Sequence, residues 1–288
     1  MNGRGALFMI ATATLSACAT ARLEAPAPEQ IKIIDAHLHT EFKGGLQEVS
    51  GVTMTREGLL AEMKSNHVVG AVAHVGQDLQ NWENLISENI IHCAGAGYKI
   101  EYAKIEAGLK DRRYRCIKIY LGYVHRWAYA PEYKRLYRLA EKYDVPVVLH
   151  SGDTYDVDGK LKYADPLTID EVAVEFRKVN FVIAHVGNPW IESAAEVAYK
   201  NANVFLDASA LLIGDLSQQP PEKVTEYVTK PLAWVFGYVE DPTKLMFGTD
   251  WPLNKMAGYI AACKAAIPRE HWQAFFHDNA ARVFHLSF

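Results

Sequence analysis

From residue 31 onward the chain alternates between short apolar runs and longer stretches with helical spacing. Eight runs can be counted, at 31–39, 68–75, 89–96, 116–123, 145–150, 181–186, 204–209 and 245–249. Most are rich in Val and Ile and stop at Gly or a polar residue, the pattern of strands buried on both faces of a parallel sheet. Between them the spacing predicts helices. Thr55 caps one that runs to Asn66, and Pro131 opens one that ends near Tyr143. Others cover 102–113, 167–178, 189–200, 221–238 and 270–284, while the connection at 82–88 is short and weak. Strand and helix alternating about eight times predict an α/β fold, a closed (β/α)8 TIM barrel rather than an open doubly wound sheet. No Gly-x-Gly-x-x-Gly follows the first run, which removes the usual ground for a dinucleotide fold.

Length and charge narrow this further. The chain has 288 residues, half of them apolar, and one barrel uses about 250. The formal net charge of −4 leaves no basic excess to follow a phosphate backbone, so nucleic acid is not an expected partner. The start of the chain differs in kind. Arg4, an apolar run at 6–15 and the exit Leu15-Ser16-Ala17-Cys18 form a signal peptide whose end is similar to a bacterial lipobox. Lipidation would make Cys18 the mature N-terminus; ordinary secretory cleavage after Ala19 or Ala21 is the alternative. A Pro-rich tether follows. The expected organisation is a signal peptide over 1–18, a tether over 19–30 and the barrel over 31–288. The expected product is an exported protein, a periplasmic or outer-membrane lipoprotein of a bacterium that touches the membrane only through Cys18. Cys93, Cys116 and Cys263 make no disulfide framework, and buried free thiols are the expectation.

The polar residues fall where the apolar runs end. Asp35-Ala36-His37-Leu38-His39 closes the first run, and alternate strand residues share a face, so His37 and His39 are expected to point together into the barrel mouth. His150 ends the fifth run, His185 the sixth and Asp250 the eighth. Barrel enzymes place their chemistry at these carboxyl ends. Imidazole ligates Zn2+ well, and a carboxylate adds charge neutralisation. Lys118 and Tyr120 share a face of the fourth run. By itself Lys118 is a cation for a substrate carboxylate or a lysine pointing out between helices. Tyr120 is a candidate substrate contact. His74, Asp153, Trp190 and Trp251 are weaker candidates near the mouth.

In this order the segments resemble the amidohydrolase superfamily, and in particular its amidohydrolase-2 branch of aminocarboxymuconate-semialdehyde decarboxylase relatives. The resemblance rests on Asp35 to His39, the His150-Ser151-Gly152 segment, Pro166, the run from Ala184 through Pro189 to Trp190, Phe247-Gly248-Thr249-Asp250-Trp251-Pro252, and the closing segment from Asp278 to Phe284. It implies a TIM-barrel enzyme with His37, His39, His150 and Asp250 as metal ligands and Asp250 and His185 as catalytic groups. It further implies one divalent ion, Zn2+ first, or two if Lys118 is a metal-bridging carboxylated lysine. The expected partner is a small-molecule substrate, with a homodimer possible. The expected activity is hydrolysis of an amide, lactone or ester by a metal-activated water. Non-oxidative decarboxylation of an aromatic or muconate-type acid is the alternative, and a non-catalytic envelope barrel the third.

Overall fold

A computed structural model of the chain describes residues 31–287. The signal peptide, lipobox and tether expected over 1–30 lie outside the described residues. Eight parallel strands stand in sequential order: β1 Ile33–Leu38, β2 Val68–His74, β3 Ile90–Ala96, β4 Cys116–Tyr120, β5 Val147–His150, β6 Phe181–Ile183, β7 Val204–Asp207 and β8 Leu245–Met246. The ring closes from β8 to β1 by single contacts rather than a ladder. Ala36 N–H donates to Phe247 O at 2.9 Å, Asp250 N–H to His37 O at 2.7 Å and His39 N–H to Trp251 O at 2.8 Å. The fold is therefore the predicted (β/α)8 barrel. No described helix is long and apolar enough to cross a membrane.

Strand alternation sorts the side chains. Ile117 and Ile119 of β4 face the helices, while Cys116 faces the interior with Ile34, Val72, Ile91, Val148, Val182, Phe205 and Met246. The base of this inner core is sealed by Ala280, Val283 and Phe284 near the end of the chain. Two residues further along β2, β4, β5 and β7 the apolar layer gives way to a polar one, with His74, Lys118, His150 and Asp207 all at interior phase. β1 is the exception. Its register slips between Asp35 and Leu38, so Ala36 packs in the inner core while His37 also turns inward.

The predicted elements recur with shorter ends. The fourth strand stops at Tyr120, and Leu121–Val124 makes a helical turn. The sixth stops at Ile183, so His185 sits in the tight turn Ala184–Gly187 rather than on a strand. The eighth stops at Met246, leaving Asp250 in the loop beyond. Thr55 caps Arg56–Ser65 as predicted, accepting from Gly58 N–H at 3.0 Å. A helix that the spacing did not predict, Met256–Ala266, follows Asp250.

The expectation of free thiols fails at one pair. Cys93 and Cys116 are register partners on β3 and β4 and form a disulfide inside the barrel. Adjacent strands bring two interior cysteines at one level into bonding range, a relationship that spacing along the chain does not reveal. Cys263 is free and buried.

Candidate metal centre and cleft

Asp35 fixes the first strand to the last loop. Its buried carboxylate accepts from the backbone N–H groups of His37 and Thr249, both at 3.0 Å, and from the Thr249 hydroxyl. Burial raises its pKa to about 7 against the pull of these donors. Gly248 is small for a reason: a Cβ there would stand 3.0 Å from His37 Cβ and 3.2 Å from that of Ser209. The loop holding Asp250 is braced from outside by Glu62, which accepts from Trp251 Nε1 at 3.0 Å and Met256 N–H at 2.8 Å. Backbone strain gathers at the same mouth. His185, Val186, Ala210 and Asp250 all take positive φ, between 43° and 61°, conformations that persist only where surrounding structure enforces them.

This frame brings His37, His39 and Asp250 together. Ligand atoms from the three lie within 4.8 Å of one another. Asp250 Oδ1 stands 3.2 Å from His39 Nε2 and 3.7 Å from His37 Nε2. The ring of His37 is oriented by Asp207, whose Oδ2 accepts from Nδ1 at 2.8 Å. Nε2 is thereby left with its lone pair, the arrangement a metal-binding imidazole needs. Lys118 is fully buried and points inward, its Nζ donating to that nitrogen at 3.2 Å. Burial pushes the lysine down to about 8, with Asp207 and Asp250 pulling the other way. The outward reading of Lys118 is excluded by the phase of β4.

Protonation states follow from burial. His37, His74 and His150 are held well below the ordinary imidazole range, chiefly by desolvation. For Asp250 burial pushes upward, yet the neighbouring imidazoles of His37 and His39 outweigh it and keep the carboxyl below the usual carboxylate range. Asp250 Oδ1 is buried without a hydrogen-bond donor, and both ring nitrogens of His74, whose ring centroid is 4.0 Å from that of His37, are likewise unpartnered. A carboxylate oxygen facing the lone pair of His37 Nε2 in a buried site is unfavourable unless a cation or a proton lies between the groups. The donors are two imidazoles and a carboxylate, which suit Zn2+ or Mn2+. The residues fit a divalent ion.

His150 stands beside this group but outside it. Its Nε2 lies 2.7 Å from the Asp153 carbonyl, which only accepts, so the proton sits on Nε2. Its Nδ1 then accepts from His185 Nε2 at 3.1 Å. Both nitrogens are engaged, and His150 joins a ligand set only by releasing one of them, as His37 does only by releasing the contact from Lys118 to its Nε2. His185 is held from its other side by Ser209 Oγ at 2.9 Å, which also contacts Asp207. Asp207, His37 and His185 form the second cluster within 4.8 Å. Asp207 and Ser209 are the site residues that the sequence reading passed over. They occupy alternate positions where the seventh apolar run turns polar, the same signal that singled out His37 and His39.

Above the cluster opens a cleft of about 230 Å³. His150, His185 and Asp250 form its base, with Asp153, Tyr155 and Asn188 at one side and Ala210 to Ile213 and Leu253 at the other. Tyr120 does not line it. Its hydroxyl turns back to Val75 O at 3.4 Å, and Tyr123, on the helical turn after β4, takes that wall instead. Trp251 is buried against Phe42 rather than exposed to the cleft.

A parallel barrel with imidazoles and a carboxylate gathered at the carboxyl ends of its strands has the architecture of the metal-dependent barrel enzymes. The amidohydrolase family model matches residues 34–286, and the chain belongs to that family, in its amidohydrolase-2 branch. No curated protein sequence matches the chain. Solved structures share its fold at low identity. An amidohydrolase from Burkholderia multivorans with bound zinc is 16% identical over 89% of this chain and 100% of that one, with a TM-score of 0.65. A protein described as a probable 2-pyrone-4,6-dicarboxylic acid hydrolase from Acinetobacter baumannii, with citric acid bound, is 14% identical over 89% and 100%, at 0.63. The 5-carboxyvanillate decarboxylase of Sphingomonas paucimobilis is 15% identical over 79% and 82%, at 0.57.

Proposed function

We propose that the protein is a metal-dependent hydrolase of a small-molecule lactone, ester or amide, with His37, His39 and Asp250 holding one divalent ion. The observation that carries this reading is the buried Asp250 Oδ1, without a donor and facing the Nε2 atoms of both histidines at the base of an open cleft. The zinc in the Burkholderia amidohydrolase supports the choice of metal. A divalent cation supplies Lewis acidity at such a site, polarising a carbonyl and bringing the pKa of water toward 7.

The chain's own residues supply the rest. Asp250 stays ionised and accepts a proton from the attacking water. His185 lines the cleft with its pKa lowered by burial, and its Nε2–H, once released from His150 Nδ1, protonates the leaving oxygen or nitrogen. Ser209 and Asp207 keep its ring in place. Lys118, beneath His37, is positioned to offset negative charge developing over the cluster. Decarboxylation is the second reading, favoured by the likeness to the 5-carboxyvanillate enzyme. An assay of metal-loaded protein on lactones, N-acyl amino acids and aromatic carboxylates, following acid release against CO2, separates the two. Purified protein is expected to hold about one equivalent of metal, and His37→Ala with His39→Ala to hold none; full metal in that double variant would falsify the ligand assignment.

Export remains our reading of the N-terminal segment. The Cys93–Cys116 disulfide supports it, since disulfides persist chiefly in oxidising compartments. Metabolic labelling with a radioactive fatty acid should mark the protein, and Cys18→Ser should lose the label; an unlabelled parent protein would end the lipoprotein reading.

A further inference from the structure

We infer that the cleft selects an uncharged substrate with a compact apolar body and rejects polycarboxylates; this deepens the hydrolase reading and rests on it. The walls that would meet the part of a substrate away from the reacting bond are Tyr123, Leu211, Leu212, Ile213 and Leu253. The acidic side chains lining the cleft are Asp250 at its base and Asp153 at its side, and among the described residues no lysine or arginine lines it. The cations nearby in sequence are turned elsewhere. Lys118 is fully buried below, donating to His37. Lys160 and Lys162 are exposed on the loop after His150 and do not reach the lining. Lys255 is held by Asp215 at 3.2 Å.

A carboxylate entering such a space loses water and gains no partner among these side chains. A divalent cation with Asp250 as its one acidic ligand leaves about one net positive charge, enough for a single substrate oxyanion and not for a second or third carboxylate. The size points the same way. About 230 Å³ is below the roughly 300–1,000 Å³ of sites for drug-sized ligands, so the body is a ring or two. In this the site departs from what a 2-pyrone-4,6-dicarboxylate needs, although a protein described as acting on that dianion shares the fold.

The test compares two lactones that differ in charge: dihydrocoumarin, uncharged, and 2-pyrone-4,6-dicarboxylate. Zinc-loaded full-length protein should show kcat/KM at least about 100-fold higher for dihydrocoumarin, because unpaired polar groups discriminate far more strongly than a missing methylene. Calorimetric binding to chelator-treated protein gives a readout free of turnover. There dihydrocoumarin should bind and the dicarboxylate should give no heat at about 1 mM. Ile213→Lys, which adds a cation to the wall, should move the binding ratio at least about tenfold toward the dicarboxylate. Dicarboxylate preferred or equal in either assay, no detectable binding of dihydrocoumarin, or no shift in the lysine variant overturns the inference. If neither lactone is turned over but calorimetry still ranks the uncharged one first, the hydrolase reading falls and the selectivity stands.

Discussion

The carboxylate of Asp207 accepts a hydrogen bond from Nδ1 of His37 at 2.8 Å, across 170 positions of sequence. This contact decides which nitrogen of His37 faces Asp250 and His39. Its other oxygen touches the Ser209 hydroxyl, which in turn meets His185, so one buried side chain orients an imidazole in each half of the site.

If that orientation matters, Asp207→Ala should weaken metal binding by about 10–100-fold, the usual effect of removing such a partner. Asp207→Asn retains an acceptor and should fall between it and the parent protein. Competition against a zinc-chelating dye measures both. Equal affinities in all three proteins would show that His37 is held by packing alone.

Ser209→Ala frees Nδ1 of His185 and removes the hydroxyl from Asp207 Oδ1, while the other oxygen of Asp207 still accepts from His37. We expect kcat to drop by about tenfold, part of the range general acid catalysis contributes, with KM and metal content nearly unchanged. Steady-state kinetics on a lactone would reveal a role in substrate binding instead if KM moved and kcat did not.

The Cys93–Cys116 bridge closes a loop with a sequence separation of 23, for which chain-entropy arguments give about 3 kcal/mol. Replacing both cysteines by alanine should lower the melting temperature by roughly 6–12 °C in a domain of this size. Calorimetry checks this, and an unchanged transition would mean the bridge does not form in the protein.

His92 supplies an acid limb away from the metal cluster. It is 1% exposed, lies against Trp82, and burial lowers its pKa from 6.5 to about 4. The unfolded chain therefore takes up a proton between pH 6.5 and 4 that the folded protein refuses. The stability contribution is complete above pH 6.5 and declines as pH falls toward 4, by about 3 kcal/mol at one pKa unit per 1.36 kcal/mol. In urea titrations across that window His92→Phe should lose stability less steeply than the parent protein. Parallel curves would place the acid sensitivity in other histidines.

The eight strands were legible because a parallel strand covered on both faces must be apolar throughout, and such runs stand out against amphipathic helices. The helix Met256–Ala266 was not. It buries Met256, Tyr259, Ile260, Ala262, Cys263 and Ala266, on too many sides to leave an amphipathic signature. His37, His39, His150, His185 and Asp250 were visible as polar residues where apolar runs stop, a local property of sequence.

The amino-acid order by itself thus determined the barrel and the set of side chains delivered to its mouth, since strand period and burial act over a few residues. Only the tertiary structure decided how those side chains pair: Asp207 with His37, His150 with His185 and the Asp153 carbonyl, Cys93 with Cys116, and Lys118 turned inward beneath His37. Such pairings depend on the register and slip of strands far apart along the chain, and on which of several acceptors each buried donor meets first. Neither is written in the spacing of residues along a single strand.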